Sequence, residues 1–117
     1  IARYMNMDVR RTISDRLFLN KIWQSFKFAT SKLSPDFKYD IKNIDPQTLS
    51  LVDKWILGKF ETCIEAINKA FTDYEFGKLT LAFQQFWLYE FCDVYLEAIK
   101  PVFYQENANT LPTQTVL

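Results

Sequence analysis

The fold class this chain predicts is all-α, a bundle of helices without a sheet. Apolar residues recur at three- and four-residue spacing through three long segments, and helix start and stop signals bracket each of them. No alternation of apolar and polar residues is sustained long enough to make a strand. At 117 residues the chain fits one domain, for which about 100 to 200 residues is usual. Residues 1 to 117 are therefore read as one helical domain with an irregular connection at about 34 to 49.

The first helix is expected from about Asp8, an N-cap residue, to about Leu33, where Ser34-Pro35 prevents continuation. Phe18, Leu19, Ile22, Phe26, Ala29 and Leu33 give it one buried face. The connection that follows, with Pro35 and Pro46, is long for a small bundle and either moves or holds a short turn of its own. The second helix begins near Ser50, which has capping-box spacing to Asp53, and runs to about Thr72. Its core stripe is Val52, Ile56, Phe60, Cys63, Ile67 and Ala70. Asp73 to Gly77 breaks the chain. A third helix then spans about Lys78 to Lys100, with Pro101 one step past its end. That helix is apolar on almost every side, which requires a central position and at least one further helix beyond the two that precede it.

Composition excludes several chemistries. Two glycines hardly suffice for a Gly-rich phosphate loop. With no histidine, Cys63 and Cys92 cannot supply the four N or S ligands of a closed zinc site. Both fall inside helical patterns and read as buried free thiols, which suits a reducing compartment. No signal peptide is visible and no apolar stretch approaches the roughly 20 residues of a membrane span, so a soluble protein without a membrane partner is expected. Glu90, Asp93 and Glu97 share a face by α-helical spacing. Lacking histidine beside them, they read as structural acids, with Glu90 or Asp93 pairing with a cation such as Arg16. Trp23, Trp55 and Trp87 stand at the edges of apolar stripes and read as core.

The net charge is zero, but it is unevenly placed. Residues 1 to 42 hold nine Lys or Arg against four acids, a net of +5, which leaves −5 for the remainder. One basic face can then attract a phosphate backbone. Arg10, Lys21, Phe28 and Lys32 follow one another at spacings of 11, 7 and 4 residues, which places them within about 40° of one line on a helix. The stripe centred near Ile22 and Phe26 points more than about 90° away. Phe28 is thus a ring among cations. It either offers a flat surface to an unstacked RNA base or packs beneath the 34 to 49 connection. Lys27, about 100° around, can reach a neighbouring base edge or phosphate.

Residues 86 to 101 read FWLYEFCDVYLEAIKP, and this run resembles a block of the valyl-tRNA synthetases. Arg16, Asn20-Lys21-Ile22-Trp23 and Lys27-Phe28 resemble a second block of that family, and Leu51-Val52-Asp53-Lys54-Trp55-Ile56 is similar to a third. The resemblance covers roughly residues 8 to 103 and implies the anticodon-binding helical bundle of a class I aminoacyl-tRNA synthetase. The expected partners are the anticodon loop of tRNA(Val) and a catalytic domain of the same chain. No HIGH or KMSKS signature is present, so valine activation and transfer, which use ATP, are expected outside these residues, with no cofactor within them. The resemblance makes Phe28 the stacking residue, Lys27 and Lys21 its basic neighbours, and Leu96 a position bordering the anticodon pocket, although Leu96 also reads simply as core. Arg10 and Lys32 complete the expected RNA-binding set. Gln24 departs from the family's second asparagine, and the lysine at 27 offers no bidentate guanidinium. In the family a long helix follows, and Thr113 to Leu117 resembles its first turn. A helix cut at that point leaves an apolar groove on the third helix and a route to self-association. The spelling Phe86-Trp87-Leu88-Tyr89-Glu90 is closest to the eukaryotic cytosolic form, which implies the cytoplasm. Two alternatives stand beside this reading: an isoleucyl- or leucyl-type synthetase domain, and a helical protein-interaction module that binds no RNA.

Overall fold

The computed structural model describes residues 6–39, 42, 45–104 and 110–117, and among these the chain is all-α as expected. α1 is Val9–Lys32, α2 is Leu51–Thr72, α3 is Phe76–Gln84 and α4 is Leu96–Tyr104, with a π-helical stretch Gln85–Tyr95 joining the last two. A short α5, Leu111–Val116, ends the chain, and a 3₁₀ turn at Pro46–Thr48 gives the connection a turn of its own.

The helix ends follow their local chemistry. The Asp8 carboxylate accepts from the Arg10 N–H at 2.9 Å and starts α1, and Leu33 caps its other end. At α2 both halves of the capping box form: the Asp53 N–H donates to Ser50 Oγ at 3.1 Å and the Ser50 N–H donates to Asp53 Oδ2 at 3.3 Å. α2 ends in a Schellman motif built without glycine. Tyr74 takes the left-handed conformation (φ 57°), its N–H donates to Phe71 O, and the Glu75 N–H reaches back to Ala70 O at 2.8 Å. The break is accordingly shorter than expected, because Tyr74 alone turns the chain and Gly77 lies inside α3.

Pro101 does not end the third helix. It sits inside α4, which continues to Tyr104. The proline forfeits one backbone hydrogen bond, and the turn beyond it is held by Phe103 against the core and by the Lys32 ammonium over the Tyr104 ring at 4.8 Å.

α3, the π stretch and α4 follow one another as a single rod, central as its all-round apolar surface requires. The core lies between this rod and α2: Ile56, Cys63, Phe86, Cys92, Tyr95, Leu96 and Ile99 form its buried cluster. Both cysteines are free and buried. Burial pushes both thiols up, Cys63 further through the Glu90 charge. Phe60, expected in the α2 stripe, is half-exposed, with its ring against Phe86 at 5.5 Å. The molecule is elongated, with a radius of gyration of 17.3 Å against about 13 Å for a compact domain of this length. One side of the core is consequently thinly covered.

α1 meets that core along a different line from the one its apolar stripe suggests. Its buried residue is Ser25, whose Oγ accepts from Trp87 Nε1 at 3.1 Å, and Phe18 meets Phe83 edge-on at 5.9 Å. With Ser25 at the centre, Phe18, Ile22 and Ala29 fall within about 60° on one side and Lys32, Lys21 and Phe28 within about 60° on the other. Leu19 and Phe26, at about 100° to 120°, are 64% and 55% exposed, not buried. A small residue lets Trp87 approach the helix, and that contact fixes the rotation.

The π stretch changes the acids as well. Bonds there span five residues, as in Leu96 N–H to Phe91 O, so α-helical spacing no longer holds. Asp93 turns to Lys21, with Nζ to Oδ1 at 3.8 Å; Glu97 accepts from Lys100 at 2.6 Å; and Glu90 Oε2 is buried without a hydrogen-bond partner among the described residues. Lys21, rather than Arg16, is the cation beside Asp93.

Candidate nucleic-acid interface

Phe28 sits at the edge of α1, half-buried, with one side packed on the core. Two ammonium groups approach its ring, Lys32 Nζ at 5.1 Å from the centroid and Lys100 Nζ at 5.6 Å. The ring packs on the core and stands among cations. Lys100 and Tyr104 join the cluster although sequence reasoning did not single them out. Their signal was present, since Lys100 and Tyr104 are one turn apart, but taking Pro101 as a stop removed Tyr104 from the helix.

The other sequence-predicted residues are distributed more widely. Lys21 lies two turns up α1 from Phe28, in its exposed pair with Asp93, a contact worth little in water. Lys27 is exposed, about 100° around the helix from Phe28. Arg10 is exposed in the first turn of α1, about 27 Å along the axis from Phe28 by helical rise, outside the cluster. Leu96 is 6% exposed and belongs to the core cluster against which Phe28 packs. Arg3 and Asp40, counted in the basic half, lie outside the described residues.

A buried polar knot sets the position of this cluster. Asp53, 1% exposed, accepts from the Tyr95 hydroxyl at 2.8 Å, from Thr113 Oγ1 at 3.0 Å and from the Ser50 N–H at 3.3 Å. Three donors compensate a carboxylate that burial would otherwise penalise. Burial, then the bond to Asp53 and its charge, hold the Tyr95 hydroxyl well above the ordinary tyrosine range, so it stays a donor. Gln114 Nε2 donates to Lys32 O at 2.9 Å, tying α5 to the last turn of α1. The cluster residues Phe28 and Lys32 are thereby referenced to α2, the π stretch and α5 at once.

Beside the knot an apolar groove of about 380 Å³ opens on the third helix, lined by Ile56, Phe60, Phe86, Trp87, Phe91 and Leu117 among others. Among the described residues no group of His, Cys, Asp or Glu is arranged to hold a metal ion, and no helix is long and apolar enough to cross a membrane.

The chain belongs to the family described as the anticodon-binding domain of tRNA ligases, whose model matches residues 53–117. Among tRNA ligases the similarity is to the valine enzymes. The chain is 42% identical over 102 residues to the valine–tRNA ligase of Takifugu rubripes, a match covering 87% of this chain and 8% of that protein. It is 41% identical over 101 residues to the valine–tRNA ligase of Homo sapiens (86% and 8%) and 39% identical over 112 residues to that of Caenorhabditis elegans (91% and 10%). The chain thus spans about a tenth of the length of these curated relatives. No solved structure matches. The family resemblance carried by residues 86 to 101 and by the α1 motif holds, and the isoleucyl and leucyl alternatives are not the ones these relatives favour.

Proposed function

We propose that the chain reads the anticodon loop of tRNA(Val) for a cytoplasmic valine–tRNA ligase, whose ATP-dependent activation and transfer of valine take place in a catalytic domain of the same polypeptide. The observation that carries this reading is the Phe28 ring, fixed on the core side and flanked by Lys32 and Lys100. A ring held in place costs little ordering when a base stacks on it, and ammonium groups at its rim neutralise the phosphates that accompany the base. Lys27 on the neighbouring arc and Lys21 above it extend the same positive field, and Arg10 continues it toward the start of α1. Leu96 acts beneath the surface, as part of what supports Phe28.

Phe28→Leu tests this, because leucine keeps the packing and removes the ring. In the full polypeptide it should lower tRNA charging by roughly tenfold or more, in line with about 1 to 3 kcal/mol for one stacked base, while valine-dependent pyrophosphate exchange stays near wild type. Charging at the wild-type rate would sink the proposal. The protein-interaction alternative separates by salt: binding through several phosphates weakens steeply between low and moderate salt, whereas apolar association hardly changes.

The apolar groove supports a second feature, self-association of this chain through the third helix. Sedimentation should show a concentration-dependent dimer that Phe60→Lys removes, and a strictly monomeric wild type at high concentration would exclude it.

A further inference from the structure

The large exposed aromatics of α1 are not scattered. Trp23 and Phe26 are 58% and 55% exposed, yet their rings are ordered against each other, centroids 6.0 Å apart and planes within 26°. Measured from Ser25, Phe26 and Trp23 lie about 100° and 160° around α1, on its outward side. Arg16, at about 180°, and Lys27, at about 200°, flank them, and both are exposed. The one carboxylate of α1, Asp15, is exposed at about 80°, close to Phe26 in angle but about 12 Å along the axis from Trp23 and about 16 Å from Phe26. An exposed aromatic patch marks a contact surface, and two cations beside the rings, with the α1 carboxylate about 12 Å away along the axis from Trp23, favour a polyanion over an apolar protein face. Paired rings beside cations suit the faces and phosphates of unstacked bases.

We propose that the outward face of α1 is a second single-stranded RNA contact, with Trp23 and Phe26 as its stacking surface and Arg16 and Lys27 as its phosphate ties. This rests on the RNA reading given above. The two platforms are joined by Lys27: passing around the solvent side of α1 from Phe28, at about 300°, to Trp23 crosses Lys27. RNA that leaves the Phe28 ring and crosses the helix meets that ammonium first and the Trp23 ring next.

The test measures the affinity of the full polypeptide for a tRNA(Val) transcript at two salt concentrations, in wild type, Trp23→Leu, Trp23→Phe and Phe28→Leu, with thermal melting of each. Trp23→Leu should weaken binding by roughly tenfold, Trp23→Phe should restore most of it because a ring remains, and melting should hardly move because the side chain is exposed. Wild-type affinity in Trp23→Leu would overturn the proposal. So would loss in Trp23→Phe as deep as in Trp23→Leu, or a fall in melting temperature that accounts for the weakened binding. Protection of Trp23 from a soluble fluorescence quencher in the tRNA-free polypeptide would assign this face to protein instead and equally overturn it. The parent reading fails separately: if Phe28→Leu binds as wild type while Trp23→Leu is weakened, the outward face stands and the Phe28 site falls.

Discussion

α2 with the central rod and α1 illustrate two ways of using the same apolar residues. In the former, Ile56, Tyr95 and Ile99 are 3%, 0% and 2% exposed and a carboxylate is fully satisfied inside the core. In the latter, the buried residue is a serine, while Ile13, Leu17, Leu19, Trp23 and Phe26 are all more than half exposed. One region buries its apolar residues and the other leaves them exposed. The Asp53 knot and the Gln114 tie connect them, so that α1 ends at a fixed place.

The sharpest way to break the contrast is Asp53→Ala. It leaves the Tyr95 and Thr113 hydroxyls and the Ser50 N–H without their acceptor, and at about 1 to 3 kcal/mol for each unsatisfied buried group the loss should exceed about 3 kcal/mol. Urea denaturation gives the magnitude, and a loss below about 1 kcal/mol would mean the knot is solvated.

Ser25→Leu should cost about 1 to 3 kcal/mol by overpacking against Trp87, whereas Leu19→Ser, at an exposed position of the same helix, should change stability by no more than about 0.5 kcal/mol. Equal effects in chemical denaturation would show that Ser25 does not set the rotation of α1.

Tyr95 adds a pH test. Its folded-state pKa is raised from the ordinary 10.0, so the neutral hydroxyl is favoured in the fold. The stability this gives is fully present below about pH 10 and is lost as pH rises above it toward the folded value. Tyr95→Phe should therefore be less stable at neutral pH and show a shallower alkaline fall than wild type in parallel melting curves. Parallel slopes in the two proteins would remove the assignment.

The smallest effect is Tyr74→Gly. Relieving a left-handed tyrosine at the end of α2 should raise stability by up to about 1 kcal/mol, provided that its exposed edge-on contact with Phe76 contributes little. An unchanged or lowered melting temperature would show that the tyrosine carries more than the turn.

The helix starts at Asp8 and Ser50, the end of α1 at Lys32, the helical class and the family were all legible in the sequence. A cap is a bond between residues two to four apart, and a motif of sixteen residues carries its identity without any tertiary contact. The central place of the third helix followed from its having no polar face to turn outward. The rotation of α1 did not follow, because Phe26 and Leu19 are as apolar as Ile22, and only the approach of Trp87, 62 residues away, selects the Ser25 side. The passage of the helix through Pro101, the π stretch that splits Glu90, Asp93 and Glu97, and the knot joining Asp53 to Thr113 across 60 residues were likewise decided by packing. Backbone hydrogen bonds alone favour the regular α-helix, and aromatic burial against two neighbouring helices outweighed that preference here. For the same reason the sequence determined that Phe28 is an aromatic among basic residues, and only the folded chain decided which cations reach it, because Lys100 comes to its ring from another helix.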